Sequence, residues 1–96
     1  MAAYMIARVN VTDWDKYNEY IKVTPDIIAQ YGGRFIARGG ETVTLEGPEE
    51  TWRIVVVEFP DLTRAIEFYH SPEYTAAKAI RAGAAEAQFI AVSGVE

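Results

Sequence analysis

An α+β protein built on one antiparallel sheet is what this sequence predicts, and three observations carry the expectation. Runs rich in β-branched and aromatic residues alternate with helix-patterned runs in the order strand, helix, strand, strand, helix, strand. Gly-Gly pairs and a Gly-Pro-Glu-Glu turn fall between them. The strand runs are apolar on both faces, as sheets covered on both sides are. This order is the split βαβ pattern of the ferredoxin-like fold, in which both crossovers lay helices on one face of a four-stranded sheet. Ninety-six residues, half of them apolar, suffice for one core, so residues 1–96 are expected to form a single domain.

Residues 3 to 11 form the first strand by their length and β-branched content, with Met5, Ala7, Val9 and Val11 on one face and Tyr4, Ile6, Arg8 and Asn10 on the other. Thr12 or Asp13 then offers a helix cap, and Trp14, Tyr17, Ile21, Ile28 and Tyr31 recur on one helical stripe. Because proline disrupts a helix interior but suits a first turn, Pro25 predicts two pieces. One runs from Asp13 to about Val23, and the other restarts with Thr24 as cap. Gly32 ends it in the left-handed conformation.

Arg34 to Arg38 is a short strand whose alternation puts Arg34, Ile36 and Arg38 on one face and Phe35 and Ala37 on the other. Thr42 to Glu46 and Thr51 to Phe59 flank Gly47-Pro48-Glu49-Glu50 and are expected to pair as a hairpin, with Trp52, Ile54, Val56 and Glu58 opposite Arg53, Val55, Val57 and Phe59. Asp61 caps a helix with an inward stripe of Leu62, Ala65, Ile66 and Tyr69. The chain then breaks between Tyr69 and Ser71, because Ser71 is a good cap, Pro72 suits a first helical position and Glu73 complements the helix dipole. The helix from Pro72 carries Ala76, Ala77, Ile80 and Arg81 and ends near Gly83. Ala87 to Ser93 is the last strand.

Helices are available for one face of this sheet only. The other would carry Tyr4, Ile6, Ile36, Trp52, Ile54, Val56, Ile90 and Val92, too large and apolar a face to leave wet. A homodimer packed face to face into an α/β barrel is therefore expected. The net charge of −5 opposes binding to nucleic acid or an anionic membrane surface. No run approaches the roughly 18 apolar residues of a membrane span, and Met1-Ala2-Ala3 lacks the marks of a signal peptide, so a cytoplasmic protein is expected. With no cysteine and one histidine, neither a structural metal nor thiolate chemistry is expected, and no cofactor is implied.

The chain also resembles a known family. Tyr31-Gly32-Gly33, Arg38-Gly39-Gly40, Leu45-Glu46-Gly47, Arg53 with Val55 to Pro60, the junction of Tyr69, Ser71, Pro72 and Tyr74, then Arg81, Val92 and Gly94 are similar in order and spacing to the bacterial domain-of-unknown-function family numbered thirteen-thirty. That family is a branch of the dimeric α/β-barrel superfamily. The resemblance covers almost the whole chain and implies a ferredoxin-like protomer and a dimeric barrel, with no assigned activity. Wider relatives include cofactor-free monooxygenases, isomerases and heme enzymes.

The candidate chemistry gathers at few residues. Arg8, Arg38 and Glu58 are the charges that alternation places on the dimer-facing side. They form either an ion-pair cluster that fixes the dimer register or an arginine-lined pocket for a small carboxylate. Arg38 is the better ligand candidate, since a guanidinium holds a carboxylate at two points and Gly39-Gly40 either leave its approach bare or form a bulge. His70 is the one side chain that titrates near neutrality without perturbation, and is either a catalytic acid-base group or a solvated turn residue. Tyr69 and Tyr74 either orient a ligand or edge the core. Arg81 lies two turns past Tyr74 on the same helical face. In the catalytic reading Arg38 holds an acid group or developing enolate, His70 moves the proton, and Arg81, Tyr69 and Tyr74 help hold a small organic acid or aromatic, in proton-transfer or oxygenase-type chemistry. The alternatives are a non-enzymatic dimer with structural charges and, third, a heme-binding protein with His70 on a cavity wall.

Overall fold

The computed structural model describes residues 1–95; Glu96, the last residue of the expected domain, lies outside them. Seven elements follow in order: β1 (Ala3–Val11), α1 (Trp14–Gln30), β2 (Arg34–Arg38), β3 (Arg53–Phe59), α2 (Leu62–His70), α3 (Pro72–Ile80) and β4 (Ala85–Ser93). The strands form one antiparallel sheet in the order β2-β3-β1-β4, the ferredoxin-like arrangement. Alternation works as expected in β1 and β3: Met5, Ala7, Val9, Val57 and Phe59 are buried under the helices, while Tyr4, Ile6, Ile54 and Val56 face away.

The junction at Ser71 forms as the sequence predicts. The Ser71 hydroxyl donates to the Phe68 carbonyl at 2.7 Å, closing α2, and accepts the Tyr74 amide at 3.0 Å, opening α3. Asp13 and Asp61 cap α1 and α2 by accepting from Lys16 and Arg64.

Four local expectations are corrected. First, α1 does not restart at Thr24 but runs unbroken through Pro25. The missing amide of Pro25 leaves the Ile21 carbonyl without its helical donor, and that oxygen accepts instead from the Thr24 hydroxyl at 3.3 Å and the Arg38 guanidinium at 3.1 Å. Its buried stripe is Tyr17, Tyr20, Thr24 and Ile28, with Trp14 half exposed.

Second, Arg38 lies on the helix face of the sheet. Phe35 is opposite Val57, yet Ala37 is opposite Val56 and Arg38 opposite Val55, so Ile36 is an extra residue that shifts the alternation by one. Arg38 therefore does not join Arg8 and Glu58. Arg8 pairs with Glu50, and Arg34 with Glu58 at 2.8 Å.

Third, Thr42–Glu46 is not a strand. Residues 40–51 run without strand pairing, with Val43 and Leu45 exposed and the Thr44 hydroxyl accepting the Glu50 amide. The loop is held by Glu50, which grips Arg8 where that guanidinium stacks on Trp52, 4.7 Å from the ring centre. Fourth, α2 turns Ala65 and Phe68 inward while Ile66 is half exposed.

The Arg8 bond holds the Glu50 carboxyl at about 2, well below its ordinary 4.5. A depressed carboxyl contributes stability that is present above its unfolded value and lost as pH falls through its folded value. Glu50→Gln is accordingly expected to lower the melting temperature at pH 7, and the gap to the parent chain should close between about pH 5 and pH 2. Thermal melts of the two proteins across that window check this, and a gap independent of pH would contradict it.

Candidate functional site

Between the sheet and α1 lies an internal cavity of about 40 Å³, room for one or two waters in this conformation. Its walls are aromatic and aliphatic, with Tyr17, Tyr20, Tyr74, Arg38 and Arg53 as the polar groups besides Thr24. Arg38 is the only exposed residue among those that line it, so it stands at the mouth, its guanidinium 4.3 Å from the Phe35 ring centre. At the inner end the hydroxyls of Tyr20 and Tyr74 meet at 2.6 Å, and Arg81 Nη2 makes a long contact of 3.5 Å to Tyr74 Oη.

Charge is distributed unusually here. Of the six arginines, Arg8, Arg34 and Arg64 pair with carboxylates, whereas Arg38, Arg53 and Arg81 pair with none among the described residues. All three line the cavity or touch its lining. Arg81 is only 8% exposed, and the Nε groups of both Arg53 and Arg81 are buried without a hydrogen-bond partner among the described residues. Arg81 is flanked by the rings of Tyr20 and Phe89 at 5.3 and 5.2 Å, and Arg53 lies 5.9 Å from the Trp14 ring.

Arginine only donates, so Arg81 brings its protons to the Tyr20 and Tyr74 phenols while Arg53 lies beside Tyr17. Within the Tyr20–Tyr74 pair one O–H serves the other oxygen, and the second is left for whatever else the corner holds. Burial, with Tyr74 beside it, pushes the Tyr20 phenol far above its usual range, and burial also raises Tyr17 against the opposing charge of Arg53. Both therefore remain donors at any physiological pH. A donor surplus with excess positive charge, in apolar walls, suits an oxyanion.

The sequence-predicted residues divide between two places. Arg38 and Tyr74 share the cavity. Tyr69 and His70 line a separate open groove of about 430 Å³ beside α2, α3 and β4, where Lys78 donates to the Tyr69 hydroxyl at 2.9 Å and His70 is exposed. Arg81 belongs to both, lining the groove while reaching Tyr74. Tyr17, Tyr20 and Arg53 were not among the predicted site residues. Arg53 had a visible signal, being the one charge that alternation put among Val55, Val57 and Phe59. Gly39 makes room for Arg53: with φ at +69°, it lies so close that a Cβ there would overlap the Arg53 guanidinium.

A family model described as a domain of unknown function, DUF1330, matches residues 2–95. No curated protein matches. Among solved structures, a protein of unknown function from Rhodopseudomonas palustris superposes with a TM-score of 0.77 at 20% identity, covering 99% of this chain and 83% of that one. A dimeric ferredoxin-like protein of unknown function from Jannaschia sp. CCS1 gives 0.71 at 11% identity, over 98% and 100% of the two chains. SnoaB, a cofactor-independent oxygenase from Streptomyces nogalater, gives 0.69 at 10% identity, over 99% and 94%. Likeness at these identities is a likeness of fold.

Proposed function

We propose that this chain, which belongs to the DUF1330 family, works as a cytosolic homodimer in which each protomer binds a small aromatic organic acid in the cavity between sheet and helices. The observation that carries the ligand class is a set of three arginines without a carboxylate partner among the described residues: Arg38 and Arg53 on the wall of an aromatic cavity, and Arg81 behind it against Tyr20 and Tyr74. In a protein with 14 acidic and 9 basic residues, leaving the buried Arg81 and half-buried Arg53 guanidinium groups without a carboxylate among the described residues is unfavourable unless an anion completes them. Tyrosine and phenylalanine rings supply the body of the site. Arg38, as its exposed wall, swings out to admit a molecule larger than the resting cavity.

The dimer is supported by the open sheet face. Ile6 and its register partners Val56 and Ile90 lie at its centre, and solved relatives of this fold are described as dimeric. The paired charges on that face, Arg8 with Glu50 and Arg34 with Glu58, act as structural ion pairs in this reading. Chemistry on the bound acid, if the protein is a catalyst, is of the cofactor-independent proton-transfer or oxygenase type. His70 and Tyr69 would then act from the groove side through the shared Arg81.

Calorimetric titration with salicylate at pH 7 tests the site. The parent chain should bind it, and Arg81→Met should weaken binding by about 10- to 100-fold, since a hydrogen bond to a charged group is worth about 1.5–3 kcal/mol. The same variant should keep or gain stability, because it removes a buried charge that has no acid partner among the described residues. Equal affinity in Arg81→Met and the parent would overturn the assignment.

A further inference from the structure

We propose that Pro25 is a positioning residue for Arg38, and that the carbonyl it frees in α1 is the latch that closes the cavity mouth over a bound acid. This inference rests on the site proposed above. In an unbroken helix the Ile21 carbonyl would accept the amide of residue 25. Proline has no amide, and its ring crowds the carbonyl four residues back, so this oxygen is turned out of the helical ladder. The oxygen is put to use. It accepts from Arg38 Nη2 at 3.1 Å and from the Thr24 hydroxyl at 3.3 Å, and both Thr24 and Ile21 line the cavity.

The partner is specific for geometric reasons. Arg38 reaches α1 only because the bulge at Ile36 turns it to the helix face. Once there it has no carboxylate to hold it among the described residues, and Phe35 supplies one flat surface for its guanidinium at 4.3 Å. A neutral carbonyl is a suitable latch for a gate that must also open. It orients the guanidinium without neutralising it, so the positive charge stays available to the ligand, and the bond is far weaker than an ion pair with a buried acid. A proline inside a helix is unfavourable by itself, and here that disadvantage is offset by an acceptor placed at the mouth.

Pro25→Ala separates positioning from structure, because the two roles move opposite ways. Restoring the helical amide should raise the melting temperature by on the order of 10 °C. It should also withdraw the Ile21 carbonyl from Arg38 and weaken salicylate binding by about 3- to 10-fold, mainly through faster dissociation. In nitrogen-15 spectra the Arg38 guanidinium resonances of the ligand-free protein should shift toward those of a solvated arginine, while the amide newly introduced by the substitution becomes protected from exchange. A double-mutant cycle completes the test: in an Arg38→Ala background, Pro25→Ala should leave salicylate affinity unchanged. If Arg38→Ala weakens binding and Pro25→Ala does not, the latch is wrong and the site stands. If Arg38→Ala itself has no effect, Arg38 is not part of the site and the latch falls with it. If Pro25→Ala weakens binding equally in both backgrounds, Pro25 acts through something other than Arg38, and the inference is overturned.

Discussion

Replacing Phe68 by alanine is expected to remove about 3–5 kcal/mol of stability, a large share of the roughly 5–15 kcal/mol available to a domain of this size. Phe68 is 1% exposed and sits where three elements converge. Its ring centre lies 5.3 Å from Phe59 on the sheet, 4.7 Å from Tyr74 on α3 and 6.2 Å from Tyr31 at the end of α1. Truncation leaves a void among rigid rings that cannot collapse into it, and it loosens Tyr74, whose hydroxyl meets Tyr20 in the cavity. Urea unfolding should show a much lower midpoint with an unchanged slope. Ile66→Ala, two residues earlier and half exposed, should cost well under about 1 kcal/mol. Equal losses at the two positions would mean that α2 presents the other stripe to the core.

Ile6→Lys is expected to have the second largest effect, on assembly. Ile6 lies in the central region of β1, opposite Val56 on one side and Ile90 on the other, on the face that carries no helix. A lysine there would bring an unpaired charge to the middle of each dimer interface, twice per dimer, at a cost of several kcal/mol. Sedimentation at micromolar concentration should give a dimer for the parent and a monomer, or an unfolded chain, for the variant. A dimer of unchanged affinity in the variant would place the interface elsewhere, and a well-folded parent monomer would remove the dimer altogether.

The fold was legible because each of its signals is local. Ser71 and Pro72 mark a helix start by chemistry that needs no tertiary context, and the period of two in β1 and β3 names the buried face directly. What the sequence did not reveal depends on partners distant in the chain. The extra residue at Ile36 reverses the face of Arg38, and nothing in Arg-Phe-Ile-Ala-Arg distinguishes a regular strand from a bulged one. Pro25 reads as a helix start because the compensating donors, a neighbouring hydroxyl and the guanidinium of Arg38 on another element, are visible only in three dimensions. Thr42–Glu46 has strand composition, yet β3, its expected hairpin partner, already has β2 on one edge and β1 on the other.

The candidate site was half legible for the same reason. Arg38, Tyr74 and Arg81 were marked by residue type and spacing, but their company was misread, because the bulge puts Arg38 on the wall of the cavity that Tyr74 also lines and not beside Glu58. Tyr17 read as one member of the apolar stripe of α1, and Tyr20 was not placed on that stripe at all. Their role emerges only when their hydroxyls are counted against the few acceptors around them.

Whether the cavity and its arginines hold an anion is decided by a crystal structure of the protein soaked in salicylate. The carboxylate is expected within hydrogen-bond distance of Arg81 or Arg53, with Arg38 closed over it and the ring against the tyrosines. A carboxylate found only on the solvent side of the sheet, at Arg8 or Arg34, with the cavity side chains unmoved, would contradict it.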